Sequence, residues 1–279
     1  MLDDSPYSSM PMDGLTLAAP SSLKSIIALP NDVKEAWLRC YLPRRLLRRF
    51  HIDRESFTNP LGEKVVQHAG NPDSGEVRIT VWRRLDDRDP VVVAEACDTA
   101  NGQIELTFLM TADPESPRFD VDVDAEGRLT LLGTARCNIE AEIAAMEAGL
   151  APGQVRHGLG LVLRDILPQF EIFLRDIDHD LILAYPLSYH NAILMERWGF
   201  DYIYGRRFME DINRRFRKGG DLHALMDGST PFRRLENIAT ARGRSWAIHD
   251  GMLGEPMERL RMVKRVGRNA KARTYWGRY

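Results

Sequence analysis

The stretch Asp180-Leu181-Ile182-Leu183-Ala184-Tyr185-Pro186-Leu187-Ser188-Tyr189-His190-Asn191-Ala192-Ile193-Leu194-Met195-Glu196-Arg197-Trp198-Gly199-Phe200 decides the fold. It opens as an apolar run with the length of a buried strand. Pro186 stops that run. Ser188 stands where a hydroxyl caps a helix. Ala192, Met195 and Glu196 are good helix formers. Gly199 supplies the left-handed residue that ends a helix at little steric cost. Phe200 and the following Asp201-Tyr202-Ile203-Tyr204 read as a new strand. The stretch therefore predicts strand, turn, helix and strand.

Upstream, the hydrophobic period is two. Val77, Ile79 and Val81 alternate with Arg78, Thr80 and Trp82, which predicts a strand. Val91–Cys97 predicts a second and Ile104–Met110 a third, with Asn101-Gly102 between them as a hairpin turn. Phe119–Asp124 also alternates, and Leu129–Leu132 would finish the meander. Between the meander and the opening stretch, Asn138 caps a predicted helix through Ile139, Ile143, Met146 and Leu150. A second helix is expected from about Arg156 to Asp176, bent at Pro168. Residues 1–30 read as an arm and 51–75 as loop. Val33–Phe50 reads as a helix split at Pro43, with Asn31-Asp32 as its cap pair. Arg206–Phe216 reads as helical, Gly219-Gly220 as a boundary, and 221–279 as an extension with helical pieces.

Composition sets the class. Apolar content of 44% supports a sizeable core, and no apolar run reaches the length of a membrane span. The three cysteines, Cys40, Cys97 and Cys137, have no metal-binding spacing, which fits free thiols in a reducing cytosol. The N-terminus lacks a secretory signal pattern. Cytoplasmic location is the expectation. From Asp201 onward there are 18 Lys/Arg against 9 Asp/Glu, leaving 20 and 31 in the first 200 residues. A basic tail on an acidic body packs against that body or contacts a polyanion such as nucleic acid.

The segment Gln154-Val155-Arg156-His157-Gly158-Leu159-Gly160-Leu161 offers a second signal. Glycines at a helix start let backbone N–H groups approach an anion, and the helix dipole adds to the attraction. Arg156 and His157 would add side-chain contacts to phosphate.

Together these two stretches resemble the latter half of the GNAT (Gcn5-related N-acetyltransferase) fold. In that family a loop Arg/Gln-x-x-Gly-x-Gly/Ala cradles the pyrophosphate of acetyl-CoA, and a later helix ends Tyr-Glu-x-x-Gly-Phe. Gly158-Leu159-Gly160 matches the loop, Glu196-Arg197-Trp198-Gly199-Phe200 matches the helix end, and the resemblance covers roughly residues 76–205. Val155 stands where the loop's first Arg or Gln sits, and Met195 where the family often has the tyrosine that protonates the leaving thiolate. An extra helix lies between meander and loop.

The resemblance implies an α/β (α+β) fold with a GNAT-like mixed, mainly antiparallel central sheet flanked by helices. Residues 1–30 would be an arm, 31–218 the main domain and 219–279 a basic extension. It implies an acyl-CoA-dependent N-acyltransferase. Acetyl-CoA or another acyl-CoA would be held by Arg156, His157, Gly158, Leu159 and Gly160. An amine acceptor would be deprotonated by a general base, with Tyr189, His190 and Glu105 as proton-transfer candidates. The alternative is a catalytically degenerate relative whose basic extension binds a polyanion or protein partner. Nucleic acid and a second copy of the chain stay open as partners.

Two further groupings carry acidic and imidazole side chains. Asp120-Val121-Asp122-Val123-Asp124-Ala125-Glu126-Gly127 has the look of a calcium loop, but its twelfth position is Leu131 rather than a bidentate Glu. Three aspartates on one face call for a cation or an arginine, for example from the tail. Asp178-His179-Asp180 with His190 and His157 lacks metal-site spacing, and no metal is expected.

Overall fold

A computed structural model of the chain describes residues 20–130, 137–257 and 259–279. In chain order the helices are α1 (Leu23–Ile27), α2 (Asn31–Tyr41), α3 (Arg44–Arg49), α4 (Ile139–Glu147), α5 (Leu167–Asp176), α6 (Tyr189–Arg197), α7 (Arg206–Arg215), α8 (Asp221–Ala224) and α9 (Ala241–His249). The strands are β1 (Val66–Asn71), β2 (Glu76–Val81), β3 (Val92–Asp98), β4 (Ile104–Thr111), β5 (Leu181–Ala184), β6 (Asp201–Tyr204) and β7 (Arg261–Arg265). A π-helical turn, Val162–Ile166, runs directly into α5. The class is the expected one: mixed, mainly antiparallel strands flanked by helices.

The chain forms two compact units, each discontinuous in sequence. One joins the described residues up to Thr111 with Gly158–Leu183, and the other joins Ala112–His157 with Ala184–Tyr279.

In the first unit β1 to β4 form an antiparallel meander, and β5 runs parallel to β4. The predicted strands at 77–81, 91–97 and 104–110 are all present. β1 lies where a loop was expected. The arm contains α1, whose Ser22 and Ser25 form a reciprocal capping box. α1 is tied down where Leu23 and Lys24 N–H donate to the Asp98 carboxylate at 3.0 and 2.8 Å. Pro43 does split the long helix. The cap of α2, however, is Pro30 with no side-chain bond, rather than Asn31-Asp32. The core of this unit gathers Leu46, Leu47, Phe57, Val65, Val81 and Val91. Leu159 and Leu161 belong to the same buried cluster.

In the second unit β6 and β7 pair antiparallel. Trp246 of α9 is fully buried, stacks on Phe232 at 5.2 Å and donates from Nε1 to the Leu150 carbonyl at 2.8 Å. Residues 219–279 are therefore integral to a core. Asn138 caps α4 as predicted, accepting from Ala141 N–H. Phe119–Asp124 forms no strand. It makes only an isolated bridge, Val123 to Leu129, and Leu131–Leu132 lie outside the described residues. Its aspartates are answered locally. Arg118 pairs with Asp120 and Asp122, and Arg128 with Asp124 and Glu126. No tail arginine is needed.

Candidate functional site

The decisive feature sits on β4. Opposite β3, Glu95 pairs with Phe108 and Ala96 with Leu106, so Thr107 is an extra, unpaired residue. This is a β-bulge, which bends a strand and re-aims its side chains. Side chains three apart normally face opposite sides of a sheet. The bulge puts Leu106 and Leu109 on one face, where both line the same cavity. On its other edge β4 meets β5 at only two positions, Ile104 with Ile182 and Glu105 with Leu183. From Leu106 to Thr111 it has no β5 partner. Thr107 and Phe108 are exposed there. β5 ends at Ala184, and a strand edge beyond the end of its partner offers backbone groups that an extended ligand can pair with.

The glycine loop lies at the far end of this stretch of β4. Residues 112–157 leave the end of β4 and come back to it. Asp113 N–H donates to the His157 carbonyl at 2.7 Å. Leu159 N–H then donates to Thr111 Oγ1 at 3.2 Å. The expected extra helix is real, yet it sits inside a closed excursion, and the loop still follows β4 in space. Leu159 and Leu161 are buried while Gly158 and Gly160 are exposed, so apolar anchors hold the glycines toward solvent. Gly160 has φ +67°, a left-handed conformation that only glycine adopts cheaply. A Cβ on Gly158 would lie 2.8 Å from Thr111 Oγ1. The π-turn follows at once, and the N–H groups at its start have no helical carbonyl to reach, while α5 continues it with Leu167 N–H on the Val162 carbonyl.

A cavity of about 400 Å³ adjoins these elements in the first unit. Its floor is the sheet face, with Val77, Ile79, Ala94, Ala96, Leu106 and Leu109. Helices α1, α2 and α5 roof it, with Trp37, Leu38 and Phe170 among the walls. Lys34 and His68 stand at its rim. His68 titrates below its ordinary range because burial penalises the imidazolium, with Lys34 adding to the effect.

The expected site residues fall as follows. Gly158, Leu159 and Gly160 form the loop described. His157 is exposed beside it in sequence, whereas Arg156 is half-buried and donates to the Ser116 carbonyl. Glu105 is half-buried on β4, two residues before the bulge. Tyr189 is only 1% exposed. Burial pushes its phenol up to about 12, and its hydroxyl, near the Arg244 guanidinium, makes no hydrogen bond of normal geometry. His190, the second proton-transfer candidate, is buried, with Nδ1 2.8 Å from Ser245 Oγ and 3.1 Å from Ser188 Oγ. Burial, then the Arg242 charge, pushes it down to about 3. Ser188 therefore bonds His190 instead of capping α6. Met195 is half-buried, and its thioether has no proton to give.

The motif residues Glu196 and Gly199 are structural in the second unit. Glu196 is buried and accepts from Tyr202 Oη at 2.7 Å, Thr274 N–H at 3.1 Å and Thr274 Oγ1 at 2.6 Å. Gly199 has φ +91°, and its N–H and that of Phe200 close α6 onto the Glu196 and Met195 carbonyls. A Cβ there would meet Lys264 Nζ at 2.9 Å and Asn269 Cα at 3.1 Å.

One metal-capable group exists among the described residues, and it shares no member with the Asp178-His179-Asp180 grouping. Cys137, Glu142 and His249 bring donor atoms within 4.8 Å of one another. His179 instead bonds the Ser21 carbonyl. On α7, Arg206 pairs with Glu210, Arg214 with Asp211, and Arg215 with Asp221. These three arginines of α7 are thus answered by their immediate neighbours. No described helix is long and apolar enough to cross a membrane. Comparison of the chain with protein-family models, with curated proteins and with solved structures finds no match.

Proposed function

We propose that this protein binds an acyl-CoA thioester and transfers the acyl group to an amine. One observation carries the reading: β4 bulges at Thr107, its pairing with β5 stops after two residue pairs, and it leads straight to the Gly158–Gly160 loop. The arrangement agrees with the resemblance to the GNAT family. In this reading the pantetheine arm lies along the open edge of β4. The pyrophosphate meets the loop and first-turn N–H groups, where an anion is favoured. Backbone N–H groups near the bulge polarise the thioester carbonyl. Glu105 takes the proton of the attacking amine as the C–N bond forms. The tetrahedral intermediate collapses, the C–S bond breaks, and the thiolate leaves to be protonated by solvent. A reducing cytoplasm suits the free cysteines Cys40, Cys97 and Cys137.

A second reading keeps the binding and drops the chemistry. It is favoured by the burial of Tyr189 and His190 and by the thioether at Met195, which leave Glu105 as the remaining candidate for proton transfer among those expected.

Thermal unfolding with CoA, acetyl-CoA and ATP tests the binding. A ligand at a hundred times its Kd stabilises the folded state by about 2.7 kcal/mol, and the thioesters should raise Tm more than ATP does. Gly160→Val should abolish the rise, since the left-handed turn is lost. An unchanged Tm at millimolar acetyl-CoA and longer acyl-CoA would remove the proposal. Release of free thiol in the presence of candidate amines separates the enzyme from the binding protein.

A further inference from the structure

Resting on the acyl-thioester reading, we propose that the cavity over β1 to β4 receives the acyl chain, and that the preferred acyl group is a medium-to-long aliphatic one. The cavity touches both parts of the candidate site. Leu106 and Leu109 flank the Thr107 bulge on β4, and Ile166 and Leu167 belong to the helix that the glycine loop opens. A thioester carbonyl held at the bulge therefore has an apolar passage beside it. The bulge itself creates this, by turning Leu109 onto the cavity face.

The floor is built to leave room. Ala94 and Ala96 stand where β-branched residues would close the space, while Gly70 admits the Ile27 side chain. Val77, Ile79, Trp37 and Phe170 make most of the remaining wall apolar, with Asn31, Tyr41 and Glu95 its polar members, which disfavours a sugar, nucleotide or peptide backbone, whose many polar groups would find few partners. From β4 to β1 the passage spans three strand spacings, about 14 Å. A methylene fills about the ~30 Å³ of a liquid water molecule, so the cavity takes roughly a dozen carbons. Lys34 and His68 stand at the rim. They set the length limit, because a longer chain would press methylenes against charged and polar groups.

Calorimetry with CoA, acetyl-, octanoyl-, dodecanoyl- and hexadecanoyl-CoA, each below its micelle concentration, measures the chain dependence. Each buried methylene should tighten Kd about fourfold, with a plateau near twelve carbons. Ala94→Phe, which blocks the floor, should move the plateau to shorter chains while leaving the acetyl-CoA Kd unchanged. Displacement of cis-parinaric acid by dodecanoate reports on the cavity without CoA. Equal Kd for all thioesters, with no parinarate binding, overturns the chain proposal and leaves the thioester reading intact. Parinarate and dodecanoate binding without any thioester binding supports the aliphatic cavity and overturns the CoA reading. Should Ala94→Phe fold poorly, the wild-type length series decides alone.

Discussion

Replacing Glu196 by Gln probes how the end of α6 is held. The wild-type carboxylate accepts three hydrogen bonds, from Tyr202 Oη and from the N–H and hydroxyl of Thr274, in a site that is 4% exposed. A glutamine keeps one acceptor oxygen and turns an NH₂ toward groups that themselves donate. All three donors reach Oε1, and the Thr274 N–H is shared with Oε2 at 3.1 Å, so the new NH₂ abuts that N–H while three donors converge on one neutral oxygen. Hydrogen bonds to a charged group contribute about 1.5–3 kcal/mol, and a stranded buried donor costs about 1–3 kcal/mol. The expected loss is about 2–4 kcal/mol, which corresponds to a Tm drop on the order of 5–15 °C. Urea unfolding followed by tryptophan fluorescence measures it. Tyr202→Phe combined with Glu196→Gln should be less damaging than the sum of the two, because they share a bond. A Glu196→Gln protein within about 0.5 kcal/mol of wild type would refute the idea that this carboxylate fastens the Thr274 segment to α6.

Other outcomes follow from the same structure. His190 is neutral when folded, with its pKa pushed down to about 3 from 6.5. The unfolded chain then binds the extra proton, so this contribution to stability is complete above pH 6.5. It is lost as pH falls below 6.5, by up to about 1.4 kcal/mol per unit; His190→Leu should flatten that slope in urea titrations between pH 4.5 and 6.5. Tyr189→Phe should leave stability within about 1 kcal/mol and any acyl transfer unchanged, since its hydroxyl is buried without a well-formed bond; loss of turnover would restore Tyr189 to the chemistry. Gly199→Ala should destabilise by more than the roughly 1–2 kcal/mol of left-handed strain, because its Cβ also meets Lys264 and Asn269; a thermal melt reads this directly.

Legibility in the sequence followed the strength of local signals. The hairpins were legible because alternation and Asn101-Gly102 act within a few residues. β1 was hidden because Val66-Gln67-His68-Ala69-Gly70-Asn71 has one β-branched residue and mostly exposed positions. β7 was hidden because its alternation includes Lys264, a lysine whose buried amine is satisfied by the Arg268 carbonyl. The alternation of Phe119–Asp124 misled, since two arginines outside it, Arg118 and Arg128, decide its shape. The glycines of the site were readable as a motif. The bulge was not, because it depends on register against β3. Nothing near His190 in the sequence signals its burial; only the fold brings Ser245, 55 residues away, onto its ring. Cys137, Glu142 and His249 gather for the same long-range reason.

The excursion of residues 112–157 bears on how the protein is made and cut. The chain changes unit after Thr111, after His157 and after Leu183. A ribosome therefore delivers the first unit in two instalments, and the excursion emerges well before the Trp246 that seals its core. Leu150 is translated 96 residues ahead of the indole that bonds to it. During that interval the excursion's apolar residues lack their final cover, which makes the nascent chain a client for chaperones. In the finished protein no single protease nick separates the two units, because each is laced through the other's stretch of sequence.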